Sequence, residues 1–309
     1  MASYSIHVKG LKSSAGTISV TVLTELLRDL RQAAQRSIRL LLEGSSVKHG
    51  PVPAWLEEST DFLVTGLGEG STVIELDAPE LGETAPEFLQ QPDMWREVPA
   101  ADDTSLTVLA LCVNDAMAGN LDSDRFDRGV LESIGQLEGT FRFAESVQII
   151  RRDRAERIPF SLSEKTLESV QSLRSRTPEP RAMVVSGKLE EIAHKAGQFK
   201  LEISDGSSIR GRVHPEFLSA ETLRELWGRK VSVKGLVHFK VSGVPRFMEA
   251  EILKVMEEGE EIFDRLPVAV QMEAPFAGAV RTSNEKVDVA EFWGRWPGDE
   301  SIEELLAGL

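Results

Sequence analysis

One stretch of this chain leaves little choice of fold. Between Arg181 and Met256 the apolar residues stop recurring at helical spacing and fall instead in short alternating runs broken by turn residues. AMVVSGKLEEIA, QFKLEIS and SSIRGRVH are three such runs, and the last two flank Asp205-Gly206, a dipeptide suited to a tight hairpin turn. PEFLSAETLRELWG then reads as a short helix, with Pro215 at its start and Gly228 at its end. KVSVKGLVHFK and PRFMEAEILKV come next, on either side of VSG. The predicted order over 182–256 is β-β-β-α-β-β. Five short strands, each apolar on one face, bury that face and lose their unpaired edges together if the sheet closes on itself.

This order resembles the OB-type small five-stranded barrels, in which a helix sits between the third and fourth strands. The resemblance rests on element order and turn placement. It implies a single-stranded nucleic-acid groove on the second and third strands, built from cations and stacking aromatics. Lys200, Arg210 and Arg212 are the candidate phosphate contacts there. The one aromatic, Phe199, alternates with Leu201 and Ile203 and reads as core, so no stacking platform is evident. The competing reading is a barrel used as a scaffold or protein-docking module.

Residues 1–173 read as an α+β domain, a small antiparallel sheet with helices packed on it. SYSIHVKG alternates as an opening strand. Leu23, Leu26, Leu27, Leu30, Ala34, Ile38 and Leu41 fall on one face of a helix that Gly44 should stop. A loop with Pro51 and Pro53 comes after it, then two β runs around Gly68-Glu69-Gly70. Residues 77–104 read as a long acidic loop, SLTVLALCVNDAMAG and FDRGVLESIGQLEG as helices, and SVQIIRRD as a strand. SLSEKTLESVQSL reads as a helix with a Ser161/Glu164 capping box. RSRTPEPR, 174–181, is the predicted linker to the barrel domain at 182–256.

The net charge of −15 is uneven: −10 over 1–180, +4 over 181–256 and −9 over 257–309. An acidic chain repels phosphate backbones as a whole, which leaves 181–256 as the segment able to favour them. Nothing in the sequence points to catalysis, a cofactor or a metal. The five histidines lie too far apart for a helical or strand ligand pair. GLGEGS, 66–71, lacks the lysine of a phosphate-binding loop and precedes a strand, so it reads as a hairpin turn. Cys112, the single cysteine, sits in an apolar helix and reads as a buried structural thiol. Asp115, Asp122, Asp124 and Asp127 crowd a helix break without the ligand spacing of a calcium loop. No apolar run reaches membrane-spanning length, and the start lacks the regions of a signal peptide. The expected setting is therefore cytoplasmic, in bacterial style, with no membrane partner.

From Glu257 the chain turns acidic and rich in small residues, and 257–289 reads as a linker. Residues 290–309 are of another kind. Phe292, Trp293 and Trp296 bracket Arg295, and Pro297-Gly298 then forces a turn. Ser301 and Glu304 can form a capping box, and Ile302, Leu305, Leu306 and Leu309 fall on one face of about two helical turns. So short a helix needs its apolar face covered before it is stable. Packing on its own chain and docking in a partner's groove are both open, as is disorder.

FWGRWPGDESIEELLAGL resembles the C-terminal toxin-binding tails of bacterial antitoxins, in particular those paired with PIN-domain ribonuclease toxins. The resemblance implies a non-enzymatic protein that neutralises a protein partner. Arg295 would enter the toxin's acidic, magnesium-binding active site, since a guanidinium pairs with clustered carboxylates and competes with the metal. Phe292, Trp293 and Trp296 would anchor the tail, and Ile302, Leu305, Leu306 and Leu309 would grip a groove. The chain departs from such antitoxins in its length and in having no recognisable helix-turn-helix.

Overall fold

A computed structural model describes residues 1–11, 17–48, 50–68, 72–89, 98–153, 160–193, 197–213 and 220–269. The chain is α+β, with helices, one open sheet and one closed barrel. Residues Met1–Val270 form one compact unit.

The first sheet grows around β1 (Ala2–Lys9), which pairs antiparallel with β3 (Thr72–Ala78) on one side and β4 (Ser146–Arg151) on the other. β2 (Leu63–Gly68) and β5 (Phe160–Ser163) complete an all-antiparallel order β2-β3-β1-β4-β5. Strand alternation sends Tyr4, Ile6 and Val8 to the same side as Ile74, Leu76, Val147, Ile149 and Leu162, all buried in one core. The helices close that side. α1 (Val20–Glu43) is its spine, with Leu26, Leu30, Ala34 and Ile38 buried. Each of those larger side chains contributes about 1.5–3 kcal/mol through removal from water. Ser19 Oγ accepts the Val22 N–H at 3.3 Å to start α1, and Gly44 ends it at φ +85°. α5 (Ser105–Met117) and α6 (Arg128–Gly135) pack beside α1, α8 (Glu164–Arg176) packs on α5 and α6, and the single turn α7 (Glu138–Phe141) links α6 to β4.

Several short elements depart from the sequence reading. The loop expected after α1 contains α2 (Ala54–Glu58), entered through Pro53. The acidic loop expected over 77–104 holds the end of β3 and two single-turn helices, α3 (Leu81–Thr84) and α4 (Pro86–Leu89). Its acidic residues are interspersed with Leu81 and Ala85, which are buried in the core. The helix expected from Ser161 begins at Glu164, because Phe160–Ser163 add to the edge of β4 with Ser161 opposite Gln148. Ser163, not Ser161, is the cap, its N–H donating to Thr166 Oγ1 at 3.3 Å.

The barrel has the predicted order. β6 (Arg181–Ala193), β7 (Gln198–Glu202) and β8 (Ser208–Val213) precede α9 (Ala220–Glu225), and β9 (Lys230–Phe239) and β10 (Pro245–Val255) come after it. Pro215, the expected start of that helix, lies outside the described residues. The β7–β8 turn uses Asp205-Gly206, with Gly206 at φ +84° and Asp205 Oδ1 accepting the Ser207 N–H at 2.8 Å. β6 is long enough to pair with both β7 and β9, and β10 pairs antiparallel with β9 and parallel with β8. The ring β10-β8-β7-β6-β9 is closed, compatible with an OB-like small barrel. Val185, Leu201, Val233, Val237 and Met248 fill it.

The barrel is fastened to the first half of the chain. The β9–β10 turn delivers Val241 into the core of the open sheet, where it is 2% exposed. The Ser242 N–H donates to the Leu121 carbonyl, and Lys240 Nζ donates to the Asp122 carbonyl at 2.9 Å. The acidic stretch expected as a linker from 257 begins instead as structure laid on the barrel. Glu260–Phe263 form a 3-10 helix, Asp264 accepts the Ser204 N–H at 2.9 Å, and Ala269 is buried in the barrel core. Glu260 makes this docking specific by accepting the hydroxyl of buried Ser232, which also pairs with Ser186 at 2.8 Å.

Candidate functional site

The tail residues Phe292, Trp293, Arg295, Trp296, Ile302, Leu305, Leu306 and Leu309 lie outside the described residues. The second set of candidates, Lys200, Arg210 and Arg212, lies within the barrel. Alternation on β7 and β8 buries Phe199, Leu201 and Ile209 and turns the three cations to the barrel's outer face, with Lys200 opposite Arg210. Phe199 is 3% exposed, a core residue as its spacing predicts.

Lys200 and Arg212 are each engaged within the molecule. Lys200 Nζ lies 3.2 Å from Glu191 and 3.4 Å from Glu190, both on β6. Arg212 points across the junction to Glu43 at the end of α1, 3.8 Å away. Its Nε is buried without a hydrogen-bond partner. Beside it Phe247 on β10, level with Arg210, packs against Gly44. This part of the barrel's outer face is thus an internal contact surface.

Glu43 gathers more than Arg212. Arg39 Nε approaches its Oε2 at 3.1 Å and Lys48 Nζ the same oxygen at 3.9 Å. Burial lowers the Lys48 pKa; Glu43 works against that, while Arg212 and Arg39 add to it. A second buried node lies nearby. Asp127 caps α6 through the Val130 N–H at 2.9 Å, accepts the Ser46 hydroxyl at 2.6 Å and faces Arg246 at 3.6 Å. Arg246 is buried, its Nε and Nη2 lack hydrogen-bond partners, and burial pulls its pKa down.

Cys112, Asp115 and Asp124 hold structural positions. Cys112 is buried, donates to the Arg125 carbonyl at 2.8 Å, and burial pushes its thiol up to about 12, where no nucleophilic thiolate exists at neutral pH. Asp115 is bound to Ser123 and Arg125, and Asp124 to Lys240. His7 reaches Ser5 at 3.1 Å and His238 lies 3.4 Å from Glu249. His49, His194 and His214 lie outside the described residues. Among the described residues no group of three or more His, Cys, Asp or Glu side chains could hold a metal, and no helix is long and apolar enough to cross a membrane.

No family model, curated protein or solved structure matches the chain. The charge cluster around Glu43 escaped the sequence reading. Its signal was the outward stripe of α1, where Arg28, Gln32, Gln35 and Arg39 recur at i, i+4, i+7 and i+11.

Proposed function

We propose that this protein is a non-enzymatic interaction protein that binds and neutralises a partner through residues 290–309. The observation that carries the reading is the segment itself: three aromatics around Arg295, a Pro-Gly turn, and an aliphatic stripe at helical spacing. Aromatic and arginine side chains are the usual anchors of protein interfaces, and a short amphipathic helix needs a groove to be stable. In its most concrete form the protein is antitoxin-like and the partner a PIN-domain ribonuclease, with Arg295 displacing metal from clustered carboxylates. The folded body acts as scaffold.

The alternative, single-stranded nucleic-acid binding on the barrel, draws less support from the geometry. Arg212 and Phe247 are committed to the α1 end, and Lys200 is held by two glutamates. The barrel's docking on the first half of the chain favours the scaffold role.

The test compares the full chain with a version ending at Val289 against a PIN-domain nuclease encoded beside it. The full chain should bind and inhibit, and the truncated one should do neither. Equal inhibition by both would end the proposal. Arg295→Ala should weaken inhibition more than binding; equal loss would remove its role as a plug.

A further inference from the structure

The chain carries net −15, yet the outward side of α1 borders a cleft of about 440 Å³ dominated by cations. Arg28, Arg31, Arg36 and Arg39 come from α1, and Lys48 from the segment that turns back over the helix end. Gln32 and Gln35 place two amides between the guanidinium groups, and Glu57 on α2 is the acidic residue of the lining. The helix puts them together because its core face is taken by Leu26, Leu30, Ala34 and Ile38, leaving the opposite face to these polar side chains.

The internal carboxylates do not cancel this charge evenly. Arg28 has Asp29 at 2.9 Å and Arg36 has Glu132 at 2.8 Å. Arg31 Nε donates to a neutral group, the Thr60 carbonyl, at 3.0 Å. Arg39, Lys48 and Arg212 all converge on Glu43, with Glu249, the strand neighbour of Arg212, as the further carboxylate beside them. At this end of the cleft three partly buried cations, Arg39, Lys48 and Arg212, share two carboxylates, an arrangement that is costly until an anion joins them.

The spacing indicates which anion. Arg28 to Arg39 is about three turns of helix, on the order of 16 Å, too long for one phosphate and suited to a chain of them. Guanidinium forks bind phosphate oxygens in pairs, and Lys48 adds a point charge. The apolar lining is Val47 and Leu56, with no aromatic ring to stack a base. We propose that this cleft binds an oligophosphate group, two or more linked phosphates, carried by a nucleotide or free.

Isothermal titration of the full chain with sodium tripolyphosphate, ATP and adenosine tests this. Tripolyphosphate and ATP should bind, adenosine should not, and affinity should fall as salt rises from about 50 to about 200 mM. ATP binding tighter than tripolyphosphate would identify a nucleotide, and equal affinities the phosphate chain alone. Arg31→Gln and Lys48→Gln should each weaken binding about tenfold, the scale of one charge-assisted contact. Lys234→Gln, exposed on the barrel, should leave it unchanged. Thermal melts of each variant separate lost binding from lost folding. No heat with tripolyphosphate, or binding that survives both cleft substitutions in folded protein, would overturn the proposal. So would tight binding of a single-stranded RNA that tripolyphosphate does not displace.

Discussion

Phe247 of the barrel lies over Gly44, the residue that ends α1: a Cβ on Gly44 would meet the ring at 2.6 Å. The glycine therefore serves two ends at once. Its φ of +85° lets the chain leave α1, and its missing side chain makes room for the barrel. Gly44→Ala should destabilise the protein by at least about 1–2 kcal/mol, the cost of the left-handed backbone alone. The displaced ring adds to this. Urea unfolding of the variant measures it, and an unchanged midpoint would show that the junction yields freely.

Asp127 and Arg246 make an unequal pair. The carboxylate has Ser46, Val130 and Arg246 as partners, whereas Arg246 is buried with two nitrogens unbonded. Asp127→Ala should cost about 3–5 kcal/mol, because it strands a buried cation and uncaps a helix. Arg246→Met should cost much less, since it removes the cation and keeps the cap. Denaturant melts of the two variants give the comparison, and a larger loss for Arg246→Met would reverse the assignment.

The Cys112 thiol has its pKa raised to about 12, chiefly by burial. In the unfolded chain it ionises near its ordinary value, so its contribution is intact at neutral pH and declines as pH rises from about 9 toward 12. The slope is of the order of 1 kcal/mol per pH unit at most. Cys112→Ala should flatten the alkaline fall in stability, although Tyr4, also raised by burial, titrates in both proteins. Native protein should resist a thiol-modifying reagent that labels the unfolded chain at once.

Glu260 moves the other way. The Glu257 N–H, the Ser232 hydroxyl and Lys254 hold its carboxyl at about 2, below the usual 4.5. The docking it provides is present above the ordinary value and is lost as pH falls through about 2. An NMR titration should place its midpoint near there, and Glu260→Gln should expose the 257–264 segment to protease at neutral pH. A midpoint near 4.5 would mean that the contact is absent in solution.

Legible in the sequence was whatever repeats. α1 declared itself by a face of leucines and a terminal glycine, and the barrel by alternation and Asp205-Gly206. The elements missed were short. α2, α3 and α4 span one turn or little more, too few residues for a 3.6 period to show. β5 is four residues whose pairing with β4 depends on a neighbour outside its own run. The same limit governed the cations. Arg212 could be read as an exposed strand arginine, but Glu43 reaches it from a helix that the sequence places in another half of the chain. Nothing in the sequence marks Arg31 and Lys48, because their shared cleft exists only after α1 and the segment behind it meet.

Val241 sets an order of events. The other described residues of the first core end at Leu173, so on the ribosome the open sheet and its helices are all delivered while the barrel is still unmade. Until the β9–β10 turn emerges, the seat of Val241 among the apolar side chains of that core is vacant. A chain stopped anywhere inside the barrel would keep that seat empty. The two halves of this body are therefore born in sequence but completed together.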